Sequence, residues 1–240
     1  METNTLKTNE KIENERGILA WALQMVFAAA IAGVLLFLAA GRLDWAGGWA
    51  FLGLNLVSQL LSAFILIPRQ PDMIAERSKI REGTKSWDRF FAPAIMIVGT
   101  LAVIITAGLD ARFGWSKSFS PILWWAALGI ALVSQLFVLW AMASNRFFST
   151  TVRIQDERGH QVVNRGPYRY VRHPGYSGSV IYTLLIPVVL GSCWTFIPAV
   201  LTVVLLVVRT YLEDRTLQAE LPGYREYAMK TTNRLFPGIW

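Results

Sequence analysis

Five stretches of the chain carry no charged side chain: 17–41, 47–68, 90–109, 118–145 and 174–208. A bilayer core takes about 20 consecutive apolar residues as a helix, so each of the first four predicts one spanning helix. The fifth, 35 residues from Pro174 to Val208, is too long for one span. As a single helix it would extend about 52 Å at about 1.5 Å per residue. Its middle reads PVVLGSCW, Pro187 to Trp194. Gly191 and Ser192 are turn formers, and Pro187 weakens the helix ahead of them. The pattern predicts a tight helical hairpin with arms of about 17 residues, the lower end of the spanning range. One kinked, tilted helix is the alternative. The expected fold is all-α and integral to the membrane. It has about six transmembrane helices, the last two forming a C-terminal hairpin, and both termini lie on one side.

The segments between these runs divide the chain. Residues 1–16 are polar and read as a flexible tail. Residues 17–144 read as a four-helix membrane region with a polar loop at 69–89, and 145–240 as a functional region built around 174–208. Ala28, Ala29, Ala30 and Gly33 offer a small surface for close helix approach. In the 71–89 loop, Met73, Ile74 and Ile80 recur at near-helical spacing, which predicts a helix lying on the membrane surface.

Charge orients this arrangement. Of the 23 Lys and Arg residues, Arg42, Arg112 and Lys117 fall on one side and the other 20 on the side of the termini. The positive-inside rule then makes both termini, both long loops and any site among them cytoplasmic. The net charge of +7 is mostly a topology signal. Its spread over four membrane-proximal segments does not suit nucleic-acid binding. A composition of 54% hydrophobic residues with ten Trp fits the membrane class. The first 16 residues mix acids and bases, and the apolar run behind them exceeds a 7–15-residue signal core, so no secretory leader is expected. Cys193 is the sole cysteine and is expected to pack at the hairpin turn; an intramolecular disulfide is impossible. His160 and His173 are the only histidines, and no metal site is expected from their spacing.

The conspicuous chemistry flanks the hairpin. Before it stands GPYRYVRHPGY, Gly166 to Tyr176; after it come Arg209, Glu213 and Asp214, then Tyr224, Tyr227 and Arg234. A hairpin that goes out and returns brings His173 back beside Glu213. Arg209 and Glu213, four apart, share a face if the last helix continues past the membrane. Pro174 suits a first helical turn and holds His173 out of the helical region. Arginines, acids and tyrosines gathered in this way suit a zwitterionic ligand. No GxSxG or glycine-rich nucleotide loop is present.

These residues carry a family resemblance. His160-Gln161-Val162-Val163, Gly166-Pro167-Tyr168 and Arg172-His173-Pro174-Gly175-Tyr176 resemble the isoprenylcysteine carboxyl methyltransferase family, as do Arg209, Glu213-Asp214, Leu217, GYREY, Arg234 and Pro237. The resemblance spans roughly 145–240. RHPxY elements also occur in phospholipid methyltransferases and membrane sterol reductases. The resemblance implies a membrane methyltransferase using S-adenosylmethionine, with S-adenosylhomocysteine as product. It further implies that His160, Val163, Gly166, Tyr168, His173, Pro174 and Tyr176 line the cofactor pocket. Glu213, Asp214, Tyr224 and Tyr227 would close it. Arg172 and Arg209 would stand nearest the acceptor, with Glu213 among the catalytic set. Asp214 departs from the family, which usually has a second Glu there. The expected acceptor is lipophilic, foremost a carboxylate such as that of a prenylated cysteine. Small lipophilic acids, thiols and lipid amines stay open, as do an NADPH-dependent reductase of sterol-reductase type and a non-enzymatic transport or assembly role.

Overall fold

The computed structural model describes residues 2–78 and 83–240, with side chains from residue 12 onward. Among the described residues there are helices and connecting turns and no strand. α1 (Glu2–Ala40) and α2 (Ala46–Arg69) are followed by the short α3 (Pro71–Arg77). α4 (Asp88–Met96) and α5 (Val103–Phe113) are joined by a π-helical segment, Ile97–Ala102, and α6 (Pro121–Ser144) follows. The hairpin is α7 (Pro174–Leu190) and α8 (Phe196–Glu220), and α9 (Tyr224–Lys230) ends the helical part. Among the described residues, five segments are long and apolar enough to cross a membrane: 12–40, 46–69, 88–113, 121–144 and 196–220. α7 has 17 apolar-rich residues, about 25 Å at about 1.5 Å per residue.

The break in the long apolar run falls where the turn formers stand. α7 ends on Gly191, whose φ of 76° is the left-handed conformation favoured by glycine. Its N–H donates to Val188 O, and that of Ser192 reaches back to Pro187 O. A hairpin forms, not one kinked helix. Cys193 lies in its turn but is exposed, so it does not pack there. Ser192 turns inward to Asp110 at the end of α5, which also accepts from Ser116.

Several sequence expectations change. Residues 2–16 continue α1 and do not form a separate segment. Close helix approach occurs at Gly108 of α5, where an added Cβ would lie 2.5 Å from Ala39 Cβ and 2.9 Å from Leu36 O. Gly33 does meet Leu52 of α2, but Ala28 and Ala30 face outward. α3 does not rest on the membrane surface. Met73 and Ile74 are fully buried with Trp21, Leu66, Leu139 and Met142. Gly17 permits this, because α1 crosses α3 so closely that a Cβ there would lie 2.6 Å from Ala75 Cβ. Ile80 lies outside the described residues.

A second apolar cluster joins Leu36, Phe51, Val103, Ile104, Ala131, Ile186 and Leu190 in mid-bundle. Phe64 and Ile122 are over 80% exposed, as lipid-facing side chains should be. The C-terminal ends of α2, α6 and α8 and the N-terminal end of α7 meet at one end of the bundle. There the 145–173 connection and the C-terminal tail cover them. The N–H groups of Arg172 and His173 donate to Asn233 O and Arg234 O at 3.0 and 2.9 Å, and Ser177 Oγ donates to Leu235 O at 2.6 Å.

Candidate active site

Beneath this cover lies a cavity of about 390 Å³, within the range of about 300–1,000 Å³ usual for ligand pockets. Ten sequence-predicted residues line it: His160, Val163, Tyr168, Arg172, His173, Tyr176, Arg209, Glu213, Tyr224 and Tyr227. The hairpin explains why. α7 begins at Pro174 and α8 runs on past its apolar part to Glu220, so residues some 40 positions apart return to one level. The Tyr176 hydroxyl donates to Glu213 Oε2 at 2.6 Å.

Gly166, Pro174 and Asp214 stand behind the wall. Gly166, at φ 58°, packs its turn onto α6, and a Cβ there would collide with the Ser144 side chain. Pro174 opens α7. Asp214 is wholly buried and anchors several neighbours at once. It accepts from Arg172 Nε and Nη2 at 2.7 and 2.9 Å, and from Arg234 Nε at 2.9 Å. Gln218 Nε2 at 2.8 Å and the Tyr224 hydroxyl at 3.2 Å also donate to it, and His173 Nε2 lies 3.1 Å away. Two strands of sequence, 172–173 and 224–234, are thereby tied to α8.

Both predicted arginines are largely committed. Arg172 spends Nη1 on the carbonyls of Thr231 and Thr232 besides its fork on Asp214. Arg209 grips Asp88 through Nε and Nη2 at 2.7 and 3.0 Å, and Thr150 O at 2.8 Å. Among the described residues its Nη1 has no hydrogen bond. Asp88 also accepts from Val152 N at 2.7 Å, so it fixes both α8 and the covering loop to the start of α4. Sequence reading passed over Asp88, because it falls in a charge-rich loop distant from every motif.

Glu213 is electrostatically different. Among the described residues, its hydrogen-bond partner is the neutral Tyr176 hydroxyl, and no cation pairs with it. The surrounding phenols stay protonated: burial, then neighbouring acid charge, pushes Tyr224 well up, and burial likewise raises Tyr168 and Tyr227. The Tyr227 hydroxyl donates to Tyr168 O at 2.6 Å, and Asn145 Nδ2 to the Tyr168 hydroxyl at 3.2 Å. His160 lies on Phe147, ring centroids 4.6 Å apart, and its Nδ1 accepts from Gln155 N. Burial brings its pKa down to about 4, so it is neutral at physiological pH.

Ile95, Val138, Met142, Phe148 and Leu206 make the apolar side of the cavity. Arg77 of α3 stands among them, unanticipated from sequence. Its Nε and Nη1 atoms are sealed from solvent and have no hydrogen-bond partner among the described residues, and its guanidinium carbon is 5.5 Å from the Phe148 ring centre. Burial lowers its pKa to about 10, which leaves it cationic. Among the described residues no group of three or more metal-ligating side chains is present.

Residues 127–219, which hold α6, the covering loop, α7 and nearly all of α8, match the isoprenylcysteine carboxyl methyltransferase (ICMT) family. Members of the family are membrane methyltransferases that use S-adenosylmethionine as methyl donor. The chain is also similar to the uncharacterized protein YpbQ of Bacillus subtilis (strain 168), at 26% identity over 178 residues, 71% of this chain and 98% of that protein. A shorter similarity, 40% over 43 residues, links it to a protein of Oryza sativa subsp. indica named "Probable protein-S-isoprenylcysteine O-methyltransferase". It covers 18% of this chain and 22% of the rice protein, and the japonica counterpart matches equally. The apolar helices make the chain a multi-pass integral membrane protein.

Proposed function

We propose that the chain transfers a methyl group from S-adenosylmethionine to a lipophilic acceptor, foremost a carboxylate such as that of a prenylated cysteine. The cavity and both termini would face the cytoplasm, the side that carries 20 of the 23 basic residues. The functional unit would be residues 145–240 around the hairpin. The observation that carries this reading is Glu213: an acid on the wall of an aromatic-lined cavity, hydrogen-bonded to Tyr176 and, among the described residues, in no ion pair. A partly buried acid of this kind is costly unless a ligand cation completes it.

The residues fit the donor by size and by chemistry. S-adenosylmethionine would supply an electrophilic methyl group on a positively charged sulfur and leave as S-adenosylhomocysteine. Glu213 would hold positive charge, with the faces of Tyr176, Tyr224 and Tyr227 in support. His160, Val163 and Tyr168 would border the rest of the donor. A carboxylate acceptor is already an anion at neutral pH and needs no general base. The chain's work is then alignment and exclusion of water, which the 145–163 segment and the C-terminal tail accomplish by covering the cavity. Arg209, held rigid by Asp88, would present Nη1 to orient the acceptor. Arg172 and His173 on the wall and Asp214 behind it act as positioning residues, and Gly166 and Pro174 set the backbone that carries Tyr168 and Tyr176.

Titration calorimetry with S-adenosylhomocysteine, run on the wild type and Glu213→Gln with NADPH as a parallel ligand, tests this. Binding by the wild type and loss of at least tenfold in the variant are expected. Absence of S-adenosylhomocysteine binding by folded wild type, or binding of NADPH instead, would overturn it.

A further inference from the structure

Among the described residues, Arg77 is the second charge on the cavity wall without an ion pair, and its sign is opposite to that of Glu213. It belongs to α3, outside the family-matched region of 127–219. Its neighbours Glu76 and Arg153 pair with each other at 2.6 Å, so the covering loop is docked on α3 without using the Arg77 guanidinium. Its surroundings are apolar. The Phe148 ring beneath it presses against Gly175, where an added Cβ would lie 2.7 Å from Phe148 Cε2. Arg77 is thus one aromatic ring away from the start of α7, where Tyr176 meets Glu213. A cation in such a place lacks both water and a counterion on two of its nitrogens. Unpaired buried donors of this strength cost free energy that an incoming anion recovers.

We propose that Arg77 is the specificity-determining residue of the acceptor side, receiving the carboxylate of an amphipathic acid whose apolar body lies along Val138, Met142 and Leu206. This rests on the methyltransferase reading above and deepens it. The arginines of the family-like motifs, Arg172 and Arg209, are held by Asp214 and Asp88. The guanidinium without an ion pair lies outside the family-matched residues 127–219. The two charges without an ion pair among the described residues divide the cavity, Glu213 toward a cationic donor and Arg77 toward an anionic acceptor. An amine acceptor, cationic itself, is disfavoured beside Arg77.

The test uses the full chain in detergent micelles saturated with S-adenosylhomocysteine. Binding of N-acetyl-S-farnesylcysteine is compared with that of its neutral carboxamide, in wild type, Arg77→Gln and Arg77→Lys. Wild type should bind the acid at least tenfold more tightly than the amide. Arg77→Gln should abolish that preference, Arg77→Lys should restore part of it, and neither should change S-adenosylhomocysteine affinity more than about twofold. A wild type that does not prefer the acid, or an Arg77→Gln that keeps the preference, overturns the proposal. So does an Arg77→Gln that loses S-adenosylhomocysteine affinity, which would place Arg77 at the donor. Failure of the wild type to bind S-adenosylhomocysteine at all sinks the parent reading instead.

Discussion

Replacing Asp214 by Asn keeps size and one acceptor oxygen but removes the charge that two guanidinium groups share. Arg172 donates to both oxygens, Arg234 donates to Oδ2, and the carboxylate is wholly buried. The amide would turn two N–H groups toward arginine donors, leaving cations buried without a counterion. Removing one partner of a buried ion pair costs about 3–5 kcal/mol. The retained oxygen, and the exposure of Arg234 (25% of its side chain), argue for the lower end. At about 2–4 °C per kcal/mol for chains of this length, a loss of about 3 kcal/mol lowers the melting temperature by about 6–12 °C. Tryptophan fluorescence during heating in detergent, with ten Trp as reporters, measures it against Glu213→Gln as control. That control acid has only a neutral hydroxyl as partner and should melt within a few degrees of wild type. An Asp214→Asn protein melting within 2 °C of wild type would show that the cluster does not hold the C-terminal tail to α8, and the reasoning would fail.

Asp214→Glu should also destabilise, although Glu is the residue usual at this place in the family. An extra methylene on a fully buried side chain costs about 1–3 kcal/mol, and the same thermal scan reads it. His160, with its folded pKa brought down to about 4 by burial, predicts a pH effect. Above the ordinary value of about 6.5 both states are neutral. Between there and about 4 only the unfolded chain takes up the proton, so stability falls as pH falls and the loss levels off below. His160→Phe should lose stability less steeply than wild type between pH 7 and pH 5; equal slopes would contradict the burial argument.

The span pattern was legible because it is a one-dimensional property. Every backbone polar group in the hydrocarbon must be bonded within its own helix, so uncharged stretches announce spans, and Gly191 announces the turn. The hairpin then follows, and with it the meeting of His173, Tyr176 and Glu213 on one wall. Roles within that wall were not legible. Asp214 and Glu213 are adjacent in sequence, yet one is a buried anchor and the other lines the cavity, because successive residues on a helix point about 100° apart. Asp88 and Arg77 fall in the 69–89 segment, whose composition resembles any solvated stretch. Their importance arises only when α4 delivers Asp88 to Arg209 and the burial of Met73 and Ile74 carries Arg77 inward. Sequence by itself determined where the membrane is and which segment gathers the polar chemistry. The tertiary structure decided which charges are already neutralised by the protein and which are left without an ion pair, since pairing joins residues as far apart in sequence as Arg172 and Asp214, 42 positions, or Asp88 and Arg209, 121 positions.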